Sequence, residues 1–230
     1  MTEQPESQPF DLIVFDCDGV LIDSEVLSAE VLIAGLSGIG VVVDRDYVRT
    51  HFLGRSFPTV ARLVARTFDV TLPPDFEAAY RRSLLARFDT ELRPTPGIAD
   101  VLNRLTMPAC VATSSSPPRV ARSLAIAGLA DYFGAHVFTA SQVPNGKPAP
   151  DLFLFAAAQM GAAPARTLVV EDSAPGVLAA QAAGMSVVGY TGGLHMRGQA
   201  IAGASPLHTF DNWADFPHLL STLSPDGATP

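Results

Sequence analysis

Two aspartates one residue apart, Asp16 and Asp18 in FDCDG, form the arrangement best suited to chemistry in this chain. A two-residue step on extended backbone turns both carboxylates to one side, and Gly19 lets the chain turn away behind them. Three further polar clusters follow: Thr113, Ser114, Ser115 and Ser116 (TSSS), Lys147 in NGKPAPD, and Glu171 with Asp172 in VEDS. An aspartate flanked by hydroxyl donors and a held ammonium suits in-line attack of a carboxylate on a phosphoryl group, with donors for its equatorial oxygens. Asp16 is then the nucleophile. Asp18 protonates the leaving alcohol and later takes a proton from the water that hydrolyses the aspartyl-phosphate.

Charge within this set demands a partner. Asp16, Asp18, Glu171 and Asp172 are four carboxylates, and Lys147 is the one cation among the polar residues that end the expected strands. Each close like-charge pair costs about 4 kcal/mol at ~4 Å and an effective dielectric near ~20, so an anion binds only if a divalent cation joins the site. Oxygen ligands from Asp and Glu point to Mg²⁺, which keeps waters and a phosphate in its shell. Ser116 is followed by Pro117 and Pro118 at a helix start, a placement suited to cradling an anion.

The elements that must position these residues are legible from hydrophobic pattern. Short apolar runs at 12–16, 109–112, 136–139, 167–170 and 186–189 read as buried strands. Helical spacing covers 98–105, 119–127, 151–160 and 176–183. Strands alternating with helices predict an α/β fold, a parallel sheet wound by crossover helices, with ligands beyond the carboxyl ends of the strands. Residues 26–93 interrupt that alternation: Val60, Leu63, Val64 and Phe68 fall at spacings of three and four, with no strand pattern of comparable quality. The expected organisation is a core of 10–25 and 94–223, a helical insertion over 26–93, and disordered tails at 1–9 and 224–230.

Composition narrows the function classes. Hydrophobic residues at 48% against 17% charged exclude a disordered chain or a coiled coil. A net charge of −8 without a Lys/Arg cluster argues against nucleic acid as partner. The longest uncharged run, 173–196, is broken by Pro175, Gln181 and its glycines and reads as helix, turn and strand rather than a membrane span. The first residues, MTEQPESQPF, lack the basic and apolar regions of a cleaved signal, so a cytoplasmic protein is expected. Cys17 and Cys110 sit in apolar runs and are expected as buried, reduced thiols.

In order and spacing, these four clusters resemble the motifs of the haloacid dehalogenase (HAD) superfamily, and its phosphatase branch in particular. Asp16, Asp18 and Gly19 are similar to the DxD signature, Thr113 to the second motif, Lys147 to the third, and Glu171 with Asp172 to the fourth. The resemblance implies a Rossmann-like core with a helical cap inserted after the first motif. It also implies Mg²⁺ bound by Asp16, the backbone carbonyl of Asp18, and Asp172, with Glu171 adjacent or coordinating. Dehalogenases lack the second aspartate, and phosphonate-cleaving relatives use a cap lysine, whereas 26–93 contains no Lys. The β-phosphoglucomutase branch shares DxDG, a small helical cap and a VEDS-like motif, but it places a cap histidine twelve residues after the nucleophile, where this chain has Ser28.

The expected function is therefore a Mg²⁺-dependent phosphatase acting on a small phosphorylated metabolite, a sugar, polyol or sugar-acid phosphate. The phosphate contacts fall to Thr113, Ser114 and Lys147. In the cap, Arg55 and His51 of HFLGRSF flank Gly54 and are candidates to contact the leaving group, since Arg suits a carboxylate or hydroxyls. Asp23 and Glu25 are expected at the hinge, and His195 as a loop residue near the rim. A β-phosphoglucomutase-type mutase and a non-catalytic phosphate-binding module of the same fold are the alternatives, separated from the phosphatase by product analysis and by turnover.

Overall fold

The computed structural model describes residues 9–52, 54–196 and 199–223; the expected tails at 1–9 and 224–230 fall outside these except for residue 9. At the centre lies β1 (Leu12–Phe15), whose four residues are all buried. Side chains alternate across a strand, so Ile13 and Phe15 join one core while Leu12 and Val14 join another on the opposite face. A strand covered on both faces can be apolar throughout, which is why LIVF carries no polar alternation.

The chain then forms α1 (Glu25–Ser37), α2 (Arg45–His51), α3 (Phe57–Phe68) and α4 (Phe76–Glu91) before returning through α5 (Ile98–Arg104) to β2 (Ala109–Thr113). The rest alternates: α6 (Pro117–Ile126), α7 (Ala130–Phe133), β3 (Val137–Thr139), α8 (Asp151–Gln159), β4 (Thr167–Glu171), α9 (Ala174–Ala182), β5 (Ser186–Tyr190), β6 (His208–Phe210) and α10 (Phe216–Thr222). The six strands stand in the order β3-β2-β1-β4-β5-β6, and every neighbouring pair is parallel. This is the parallel α/β sheet expected from the alternation, and the Rossmann-like core that the resemblance implies. Strand order reverses at β1, so the carboxyl ends of β1, β2 and β4 open one crevice between them.

β6 is not among the strands expected from hydrophobic pattern. Its His208 and Thr209 are exposed and only Phe210 is buried, so HTF carries no apolar run. Helix α6 begins at Pro117 rather than at 119, because proline's fixed φ and missing N–H suit the first turn. That shift places Arg119 in the first turn, at the sheet's carboxyl end. β4 extends one residue beyond its expected end, making Glu171 its last residue.

Helices α1 to α3 enclose a cluster of their own, including Leu32, Leu36, Val48, Phe52, Val60, Val64 and Phe76 from the start of α4. The spacing of Val60 and Val64 predicted that inner face. Further along α4, Leu84 and Phe88 enter the core of the sheet instead. Each such fully buried side chain contributes roughly 1.5–3 kcal/mol. The two chain segments joining these helices to the sheet run side by side: Ile22 bridges Pro94, and Asp23 N–H donates to the carbonyl of Arg93 at 3.0 Å. Cys17 and Cys110 are buried free thiols.

Candidate active site

Asp16 follows β1, its N–H held by the Val170 carbonyl of β4 at 3.0 Å. Its Oδ1 accepts from Lys147 Nζ at 2.5 Å. The same ammonium donates to Glu171 Oε1 at 2.6 Å and to the Ala112 carbonyl at 3.0 Å, and lies 4.8 Å from the centre of the Phe153 ring. Burial works against this ammonium, but Asp16 and Glu171 outweigh it and raise the Lys147 pKa. Glu171 is saturated on its other oxygen too, since Oε2 accepts from the backbone N–H of Asp172 and Ser173 and from Ser173 Oγ, each at 2.9 Å. Ser173 in turn accepts from Gly176 N–H at the start of α9. A Cβ on Gly176 would overlap the Glu171 carboxylate.

One carboxylate oxygen of each of Asp16, Glu171 and Asp172 lies within 4.8 Å of the others, and all three residues are buried. Burial is the main cause that pushes the Asp16 and Asp172 carboxyls well above their usual range, with Glu171 adding to both. Asp172 Oδ2 has no hydrogen-bond donor. His195 Nε2 approaches it to 2.8 Å but out of line for a hydrogen bond. His195 is thus no ordinary loop residue: it is buried against Asp172, and burial lowers its pKa and favours the neutral imidazole. Gly19 makes room for both, because a Cβ there would overlap Asp172 Oδ2 and crowd His195 Cε1, and its φ of 89° favours glycine.

Asp18 faces away from this trio. Its Oδ1 accepts from Ser24 Oγ at 2.5 Å and Arg119 Nη2 at 2.7 Å, and its Oδ2 from Ser115 Oγ at 2.6 Å. Burial favours the neutral acid, yet Arg119 and the two hydroxyls outweigh it and hold the carboxyl below its ordinary value. Arg119, at the start of the helix expected over 119–127, adds a second cation to the one counted at the strand ends. With Lys147 it still leaves two of the four negative charges unbalanced. The residues therefore fit a divalent cation: three converging carboxylates, an undonated buried oxygen, and neither sulfur nor imidazole among the converging atoms.

Thr113 is buried at the end of β2, its Oγ1 accepting from Ser115 N–H at 3.0 Å. Ser114 Oγ donates to the Gly54 carbonyl at 3.2 Å, so the loop after α2 rests on the loop after β2. Between them lies a cavity of about 90 Å³ lined by Asp16, Asp18, Thr113, Ser114, Arg55 and Arg119. Glu25, Ser28, Tyr80 and Arg81 also line it, none of them among the expected contact residues. A wider cleft of about 650 Å³, with Arg62, Arg81 and Lys147 on its walls, adjoins it. Arg55 Nε is buried without a partner. His51 is exposed and its ring is tilted against Tyr47, 4.3 Å between ring centres, away from the cavity, because α2 turns its last residue outward.

A parallel α/β sheet that gathers acids, hydroxyls and one lysine at the carboxyl ends of β1, β2 and β4 defines a phosphoryl-transfer enzyme. Residues 10–184 match the model of the haloacid dehalogenase-like hydrolases, and the chain belongs to that family. It is 29% identical over 176 residues to the 6-phosphogluconate phosphatase of Escherichia coli K12, covering 76% of this chain and 80% of that protein. It is 32% identical over 184 residues to the fructose-1-phosphate phosphatase YqaB of the same organism, covering 76% and 94%. Among solved structures, a HAD family hydrolase from Deinococcus radiodurans R1 with bound phosphate and sodium is 31% identical with a TM-score of 0.72, covering 97% of this chain and 100% of that one. The protein is a phosphoric monoester hydrolase. Among the described residues no helix is long and apolar enough to cross a membrane.

Proposed function

We propose that this enzyme is a Mg²⁺-dependent phosphatase that hydrolyses a small sugar, polyol or sugar-acid phosphate through an aspartyl-phosphate on Asp16, beneath a cap formed by α1 to α4. The observation that carries this reading is the contact of Lys147 with both Asp16 and Glu171. The lysine orients the nucleophile and leaves an ammonium beside the place where the phosphoryl group arrives. Asp16 and Asp172, with the Asp18 carbonyl, would hold the cation, and Glu171, its oxygens already taken, keeps Lys147 in place. When bound, the cation offsets the charge of the phosphoryl oxygens and of the carboxylates around them.

In the first half-reaction an Asp16 oxygen bonds to phosphorus as the bond to the leaving oxygen breaks, and Asp18 gives that oxygen its proton. In the second, Asp18 takes a proton from water, whose oxygen bonds to phosphorus and releases inorganic phosphate and the Asp16 carboxylate. The proton gained there serves the next leaving group. The ionised Asp18, accepting three hydrogen bonds, is the form that acts on water. Thr113 and Lys147 offer donors to the phosphoryl oxygens, and Ser114 joins them when its hydroxyl leaves Gly54. The unpartnered Nε of Arg55 favours a leaving group bearing hydroxyls or a carboxylate.

Ser28 favours hydrolysis over mutase chemistry: its hydroxyl donates to the Ser24 carbonyl at 2.9 Å and accepts from Arg119 at 3.1 Å. The test is inorganic phosphate release from a panel of sugar, polyol and sugar-acid phosphates, with Mg²⁺ or EDTA and with Asp16→Asn as control. Metal-dependent release lost in the variant supports the reading. A phosphate moved to another hydroxyl of the sugar supports the mutase, and silence across the panel from the folded protein supports a binding module.

A further inference from the structure

We propose that Arg119 is a positioning residue for Asp18, coupling the acid/base carboxylate to the seating of helix α1. The inference rests on the role given to Asp18 above. Pro117 and Pro118 occupy the first turn of α6 and aim the residue after them at the crevice. There one nitrogen of Arg119, Nη2, meets both Asp18 Oδ1 at 2.7 Å and Ser28 Oγ at 3.1 Å. The guanidinium lies 5.6 Å from the centre of the Phe88 ring of α4. The ion pair is 15% and 12% exposed on its two sides, so water screens it little.

The three donors on Asp18 come from three places: Ser24 before α1, Ser115 after β2, and Arg119 in α6. Of the three donating side chains, that of Arg119 also reaches into α1, to Ser28, whose hydroxyl in turn donates to the Ser24 carbonyl, and it does so beside Phe88 of α4. When α1 and α4 seat over the sheet, that shared nitrogen sets the rotamer in which Asp18 faces the leaving oxygen. When they lift away, Arg119 loses Ser28 and the Phe88 face, and the carboxylate loses its alignment. Proton transfer is thereby confined to the closed arrangement.

A misplaced proton donor slows departure of a poor leaving group and hardly affects a good one. The experiment therefore compares kcat/KM, which ends at formation of the aspartyl-phosphate, for the best alkyl phosphate of the panel and for p-nitrophenyl phosphate. Asp18→Asn sets the scale. In Arg119→Gln the alkyl ester should lose about 10²-fold and the aryl ester less than about threefold, the difference expected when general acid catalysis alone is impaired. Arg119→Lys should recover part of the loss, and Ser28→Ala should show a smaller loss with the same ester selectivity. Should Arg119→Gln fail to fold, those two variants carry the test. Equal losses on both esters in folded variants, or a change confined to KM, overturn the inference. If wild type releases no phosphate, or Asp18→Asn shows no ester selectivity, the reading of Asp18 fails first and the inference falls with it.

Discussion

Lys147 stands 2.5 Å from Asp16 although 131 residues separate them. Its side chain is 1% exposed and its ammonium is held by two carboxylates and one carbonyl, so charge, burial and position depend on one another. A buried ion pair of this kind is weak as a source of stability but strict about geometry. It fixes where the nucleophile points before substrate arrives.

Lys147→Met should therefore fail twice. Removing one partner of a buried pair costs about 3–5 kcal/mol, seen as a lower melting temperature. Loss of the donor beside the phosphoryl oxygens should lower kcat by roughly 10²- to 10³-fold. Phosphate-release kinetics on the folded variant separate the two effects, and a variant with wild-type kcat would refute the role given to the lysine.

Metal removal should abolish turnover, and Mg²⁺ should raise the melting temperature of the EDTA-treated protein by relieving repulsion between Asp16 and Asp172. Asp172→Asn should lose that rise. His195→Ala removes the ring packed on Asp172 and should weaken Mg²⁺ binding about tenfold, as loss of outer contacts to a ligand usually does. Isothermal titration with Mg²⁺ checks both; unchanged affinity in His195→Ala would leave the ring as packing only.

Glu25 lines the cavity, and burial, aided by the charge of Asp18, raises its carboxyl from 4.5 to about 8. The folded protein thus binds this proton more tightly than the unfolded chain does. The contribution to stability is full below the unfolded value and is lost as pH rises through the folded one. Glu25→Gln stays neutral, so in EDTA it should melt close to wild type near pH 5 and above it beyond about pH 8. Parallel melting curves across that range would contradict the shift.

Gly176→Ala should disturb the site from outside it. The added methyl would overlap the Glu171 carboxylate, which would have to release Ser173 or Lys147. We expect a loss of stability of about 1–3 kcal/mol, typical of overpacking, together with reduced kcat. Chemical denaturation and phosphate release measure the pair, and a neutral outcome would mean that Glu171 has room to move.

Much of this is legible in the sequence, because parallel strands and amphipathic helices are written in local hydrophobic pattern. LIVF at β1 and the helical spacing of Val60 and Val64 announced their elements unaided. β6 stayed hidden because two of its three residues face solvent and its strand character comes from pairing with β5. His51 and Arg55 looked equivalent in sequence, yet the turn after α2 sends one outward and the other to the cavity.

The sequence by itself determined the fold class, the helical insertion, and the acids, hydroxyls and lysine that end the strands, since each depends on residue type at short range. Tertiary structure alone decided which of those groups touch. Arg119 meets Asp18 across 101 residues, and His195 meets Asp172 through a loop with no pattern of its own. Contacts of that kind depend on how helices and loops seat on the sheet, and no local periodicity encodes that distance.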